Sequence, residues 1–166
     1  MGGGSGGGLP SSDLRRLEES AKKKLQEATD KGSPHVFISF CHEDLDEINL
    51  LRGQAKNEKL DLEFDDYSVK EPFNSVNADY IRGKIREKID HVSVTVVYLT
   101  KNSASSDWVN WEISESIKRG KGVVGVYKKD SPPRNLPKAF SENGCKAVPW
   151  SHGELVKAIE DAGRNR

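Results

Sequence analysis

After Pro34 the sequence alternates short β-branched apolar runs with stretches of helical spacing, and this alternation constrains the fold more than any other feature. HVFISF (35–40) reads as a buried strand, LDLEFDDYS (60–68) as a more exposed one, and VSVTVVYLT (92–100) as the most apolar. GVVGVY (122–127) and CKAVPW (145–150) complete five. Helical stretches fall between and after them at 44–57, 77–90, 108–119, 136–143 and 152–162. Strands that alternate with helices pair in parallel through right-handed crossovers. The third strand, being the most apolar, belongs at the centre with helices on both faces. The expected architecture is therefore α/β: a doubly wound, flavodoxin-like, five-stranded parallel sheet in the order 2-1-3-4-5. In such a sheet ligands sit beyond the strand carboxyl ends where the winding reverses, which here is between the first and third strands.

Ahead of this unit, MGGGSGGGLP (1–10) reads as an engineered or disordered glycine-rich tail. Residues 11–34 hold one extra helix and a linker. From Ser12 to Asp30, Leu14, Leu17, Ala21, Leu25 and Ala28 recur at spacings of three and four, behind a capping signal at Ser12 or Asp13. Gly32-Ser33-Pro34 ends it, and its thin stripe suits either the flank of the main domain or a partner chain. The main domain is expected over 35–162, with a short tail at 163–166. A chain of 166 residues is long enough for one core, and so for one principal site.

Two segments must line that site: Ser39 to Asp44, leaving the first strand, and Lys101 to Asp107 with the helix that begins near Trp108. The long polar loop from Asp65 to Asn77, broken by Pro72, is placed to wall one side. On the Trp108 helix, Val109, Ile113 and Ile117 recur every four residues and form the core stripe. Glu112 falls about 100° from that stripe, on the side of Trp108, which predicts a position at the rim. Taken singly it is a surface glutamate helped by the helix dipole; beside the switch point it is a candidate catalytic acid. Trp111 lies opposite the stripe, as an outward interface anchor would.

Several chemistries are set aside on sequence grounds. Basic and acidic residues balance at 26 each, so nothing draws the chain onto nucleic acid or an anionic membrane. Cys41, Cys145 and four histidines show no metal-ligand spacing, and no resident metal or cofactor is expected. No apolar run reaches the roughly 20 residues of a membrane helix, and a cytosolic location is expected. Neither G-x-x-x-x-G-K-[ST] nor G-x-G-x-x-G occurs. A phospho-receiver would need an aspartate ending the third strand, where Tyr98-Leu99-Thr100-Lys101 stands. Cys41 beside His42 on an extended segment points the opposite way from it, so a buried, inert thiol is expected.

Taken together, the strand ending in FISF, the acidic helix start, NLLRGQAKN, SVKEP, and the helix opening with WVNWE resemble the TIR-like proteins of the bacterial Thoeris anti-phage system, of the ThsB type. The resemblance runs from about His35 to Ala162. Trp108 and Glu112 match the W-x-x-x-E pattern of NAD-cleaving TIR domains. The resemblance implies a TIR-like fold, Glu112 as the catalytic residue, and NAD as substrate. It also implies a cyclic ADP-ribose isomer that reaches a separate effector by diffusion, and self-association into an oligomer or filament. The substrate would be held by Ser39, Phe40, His42 and Asp44 after the first strand, by Asp66 and Ser68 after the second, and by Trp108. Phe40 either stacks on a base or nicotinamide face or belongs to the core, and Arg52 or His42 meets the pyrophosphate, unless Arg52 only pairs with an acid on its own helix. The alternative from a different class is a non-catalytic TIR scaffold that works by protein assembly.

Overall fold

The computed structural model describes residues 12–21, 35–57, 61–64 and 71–164, and of the 61–64 segment only the backbone. The chain divides into two units, Met1–Ser33 and Pro34–Arg166. In the first, helix α1 covers 12–21, with Leu14 and Leu17 exposed. The expected continuation of this helix to Asp30 and the glycine-rich tail lie outside the described residues.

The second unit runs β1 (His35–Ser39), α2 (Leu45–Asn57), β2 (Asp61–Phe64), α3 (Ala78–Asp90), β3 (Val94–Tyr98), α4 (Asp107–Lys118), β4 (Gly122–Tyr127), α5 (Lys138–Glu142), β5 (Lys146–Pro149) and α6 (His152–Arg164). The sheet order is β2-β1-β3-β4-β5, with every neighbouring pair parallel, as the alternation of strand and helix requires. Residues 65–68, read from sequence as the end of the second strand, lie outside the described residues. Helix α5 starts at Lys138, two residues later than expected, because Pro137 holds an extended ψ of 139° ahead of it and Leu136 is left outside. Helix α4 begins at Asp107, where the Ser106 side chain accepts from the Val109 amide (3.2 Å) and caps it.

Alternation along the strands sorts the core into two layers. Val36 and Ile38 of β1 and Phe40 just after it, with Val94, Val96 and Tyr98 of β3, face Ile48 of α2 and Leu155 and Ile159 of α6. On the opposite face Phe37 meets Ile81, Ile85 and Ile89 of α3, while Val97 and Leu99 meet Val109 and Ile113 of α4 and Phe140 of α5. The helices after β1 and β3 thus lie on opposite faces, and the loops leaving those strands diverge. On β4, Gly125 leaves room for this packing: a Cβ there would fall 2.5 Å from Leu99 Cδ1 and 2.6 Å from Phe140 Cζ.

Helix α4 is buried more broadly than its apolar stripe predicts. Glu112 was expected at the rim, yet only 1% of it is exposed, and Ser116 is fully buried whereas Ile117 is only half-buried. The reason is α3, which covers the flank that a single-helix projection leaves to solvent. Arg86 of α3 donates to Glu115 (2.8 Å), and Arg119 donates to Glu115 (3.1 Å) and to Asp90 (2.7 Å). Burial works to raise the Glu115 carboxyl, but the two guanidiniums outweigh it and hold the group below its ordinary value. Trp111 also departs from expectation. It is half-buried rather than outward, set edge-on to Trp108 (6.0 Å between centroids), with the Arg86 guanidinium 5.4 Å from its ring centre.

Candidate active site

The divergence of the β1 and β3 loops produces a cleft of about 470 Å³ at the strand carboxyl ends. Phe40, Cys41, His42 and Glu43 form one side; Lys101, Asn102, Ser105, Ser106 and Trp108 form the other; Glu71 and Pro72 close it. The first turn of α4 opens onto it, presenting the positive end of a helix dipole. The indole of Trp108 donates to the Glu71 carbonyl (2.9 Å), and Phe73 sits edge-on to the same ring (5.0 Å). Arg82 donates to the Phe73 carbonyl (2.9 Å) and lies 4.3 Å from the centre of its ring. The 71–73 segment is thereby fastened to both α3 and α4.

The residues singled out in the sequence fall into distinct groups. Phe40, His42 and Trp108 line the cleft, His42 exposed and Phe40 shared with the core. Glu112 lies one turn along α4 from Trp108, about 6 Å further along the axis, and is not part of the lining. Ser39 is also beneath the surface, 0% exposed, on the same strand face as Phe37 and Cys41. Its hydroxyl and that of Ser75 are, among the described residues, the buried side-chain oxygens without a hydrogen-bond partner. Arg52 is exposed two turns into α2 and does not line the cleft. Asp66 and Ser68 lie outside the described residues.

Asp44 turns away from the cleft. It is 5% exposed, and its two oxygens are taken by the Thr100 hydroxyl and by Asn102 Nδ2 (2.9 Å). It is a clamp between the β1 and β3 loops, and the ring Thr100–Asn102–Ser103 around it is closed by further short hydrogen bonds. Glu43, Glu71, Lys101 and Asn102 were not singled out individually; only their segments were legible as cleft walls.

Two internal hydrogen-bonded groups complete the geometry. The Cys41 thiol donates to Glu43 and is pushed up to about 11, first by burial, then by that hydrogen bond and the neighbouring carboxylate charges. It stays a thiol at neutral pH, as expected of an inert cysteine. Beneath α4, the hydroxyls of Thr95 and Ser116 pair at 2.7 Å, and Ser116 donates to the backbone carbonyl of Glu112 (2.8 Å). Among the described residues no group of three or more His, Cys, Asp or Glu side chains is placed to hold a metal, and no helix is long and apolar enough to cross a membrane.

Comparisons with known proteins place this geometry. Among solved structures the chain is similar to the TIR domain of the Toll-related receptor TRR-2 from Hydra magnipapillata, with 13% identity and a TM-score of 0.50. The match covers 78% of this chain and 95% of that one, and at such identity it establishes the TIR-like fold. No curated protein matches the sequence. The family described as Thoeris protein ThsB, TIR-like domain, matches residues 37–132, the stretch that contributes the β1 and β3 loops, the 71–73 wall and all of α4. With that match spanning more than half its length, the chain belongs to the ThsB TIR-like family of Thoeris proteins.

Proposed function

We propose that this protein cleaves the nicotinamide–ribose bond of NAD and closes the remaining ADP-ribose into a cyclic product, a diffusible signal to a separate effector in anti-phage defence. The observation that carries the reading is the polar cleft at the β1/β3 divergence of a ThsB-type chain, walled by Trp108 with Glu112 one helical turn behind it. In the reaction the C–N bond breaks with its electron pair, and cationic nicotinamide leaves as a neutral ring needing no proton. The ribose carbon is left oxocarbenium-like, and a carboxylate against it stabilises the positive charge. A nucleophilic atom of the adenosine half then bonds to that carbon and gives the cyclic product; water, losing a proton, gives linear ADP-ribose instead. Exclusion of water favours the ring.

Each side chain has a part in this scheme. The diphosphate suits the opening turn of α4 and Lys101, where helix dipole and ammonium share one sign. The unpartnered Ser39 hydroxyl supports a polar contact on the α4 face of β1. Glu112, one turn behind Trp108 and 1% exposed, reaches the sugar only when the packing that encloses it opens. The scaffold reading relied on Trp111 as an outward anchor, and the cover of that ring by Arg82 and Arg86 takes this support away.

The test is NAD turnover by the purified chain, with products separated by chromatography, for the natural sequence and for Glu112→Gln. The Gln variant preserves volume and removes charge, so product formation falls by about 100-fold or more. Turnover by the Gln variant at the natural rate rejects the assignment. Absence of nicotinamide release by either protein, both alone and with extract of infected cells, rejects the activity.

A further inference from the structure

The cleft has a neighbour. A second cavity of about 420 Å³ opens at the same end of the sheet, on the other side of the β3 terminus, between the start of α2 and the connection from β4 to α5. Lys101 and Asn102 line both, so the two spaces meet over one short ridge of backbone. Each is near the lower end of the size range of small-molecule sites, and a dinucleotide has two halves.

The second cavity is preformed. Its floor is fixed by the Asp44 clamp and by Tyr98, whose hydroxyl donates to Glu47 (2.7 Å), so the floor acids already have partners. Its mouth carries Lys101, Lys128 and Arg134, all exposed, and none of the three has an ion-pair partner among the described residues. Pro132 and Pro133 stiffen the outer wall and offer flat apolar faces next to the Arg134 guanidinium. Three cations at the mouth outnumber the two floor carboxylates, which are already hydrogen-bonded to neutral donors, and with the stiff apolar wall they suit a planar base joined to a phosphate.

We propose that this cavity binds the adenylate half of the dinucleotide, with the diphosphate lying across the Lys101–Asn102 ridge and the reacting ribose in the cleft. This rests on the dinucleotide reading above and adds a division of labour to it. The grip of Arg134 and Lys128 on this half then sets the affinity for the dinucleotide, while the cleft holds the bond that breaks.

The experiment titrates AMP into the full chain and follows backbone amide shifts, for the natural sequence and for Arg134→Glu and Lys128→Glu. AMP is expected to move Ser131 to Asn135, and each charge reversal to weaken AMP about tenfold. Nicotinamide mononucleotide is expected to move His42 and Ser105 instead. In turnover, Arg134→Glu raises KM for NAD, while KM for nicotinamide mononucleotide is unchanged. AMP shifts confined to His42 and Ser105, or an unchanged AMP affinity in both variants, overturn the proposal. So does inorganic phosphate that moves Ser131 to Asn135 as far as AMP does, since the cavity would then be a plain anion site. AMP seated at Ser131 to Asn135 in a chain that does not turn over NAD supports the adenylate site and rejects the enzyme reading; the converse pattern does the reverse.

Discussion

Replacing Glu115 by Gln separates charge from shape on the flank of α4 that encloses Glu112. Glu115 Oε1 accepts from both Arg86 (2.8 Å) and Arg119 (3.1 Å), and its side chain is 9% exposed. The amide keeps an acceptor oxygen and loses the charge, so two ion-paired hydrogen bonds at the upper end of about 1.5–3 kcal/mol become bonds from a charged donor to a neutral acceptor, at the lower end of that range. The arginine side chains are 40% and 29% exposed, and solvent screening reduces the difference. The net loss is about 1 kcal/mol, or about 3–5 °C in Tm for a domain of this size. The pH dependence fixes the cause. The folded carboxyl is held below its ordinary value of 4.5, so its contribution is fully present above that value and is lost as pH falls through the lower folded one. Thermal unfolding followed by circular dichroism should show the gap at pH 7 and its closure in strong acid. Equal Tm values at pH 7, or a gap that persists in acid, refute the assignment of this flank to charge.

Gly125→Ala places a methyl against Leu99 and Phe140 and should cost about 1–3 kcal/mol, read as a lower urea midpoint with an unchanged slope. Ser39→Ala removes a buried hydroxyl without a partner, so stability should hold or rise by about 1 kcal/mol, and a clear drop in Tm argues for a partner in the folded state. Cys41 should resist maleimide at pH 7 and gain reactivity as pH climbs toward about 11; rapid labelling at neutral pH contradicts the burial and the Glu43 contact.

The strand order and the location of the cleft were legible because they follow from local patterning: β-branched runs, helical spacing, and the single point where the winding reverses. Phe40 and His42 came with them because they follow the end of β1, and Trp108 because it opens the helix after β3. What was not legible depended on partners distant in the chain. The Val109–Ile113–Ile117 spacing tells which side of α4 meets the sheet, but not that α3 lies along the next flank, so Glu112 was read as a rim residue and Trp111 as outward. Asp44 stands where a ligand-binding acid would, yet it is committed to Thr100 and Asn102, which are 56 and 58 positions away. Only the fold brings those donors to it. Lys128 and Arg134 carried no motif at all, and gain a shared cavity solely because β4 lies beside β3.

The hydroxyl pair beneath α4 bears on which piece of this protein is able to travel. Thr95 belongs to the central strand, Ser116 to the helix, and Ser116 also bonds the Glu112 carbonyl, all out of reach of water. Sliding or turning α4 on the sheet would strand two hydroxyls in a dry interior, each at a cost of about 1–3 kcal/mol. The 71–73 segment, by contrast, is attached through two backbone carbonyls in part-buried hydrogen bonds and through ring edges, without a buried side-chain pair of this kind. Helix α4, and Glu112 with it, is therefore tied to the sheet more firmly than the 71–73 segment is tied to the two helices it touches.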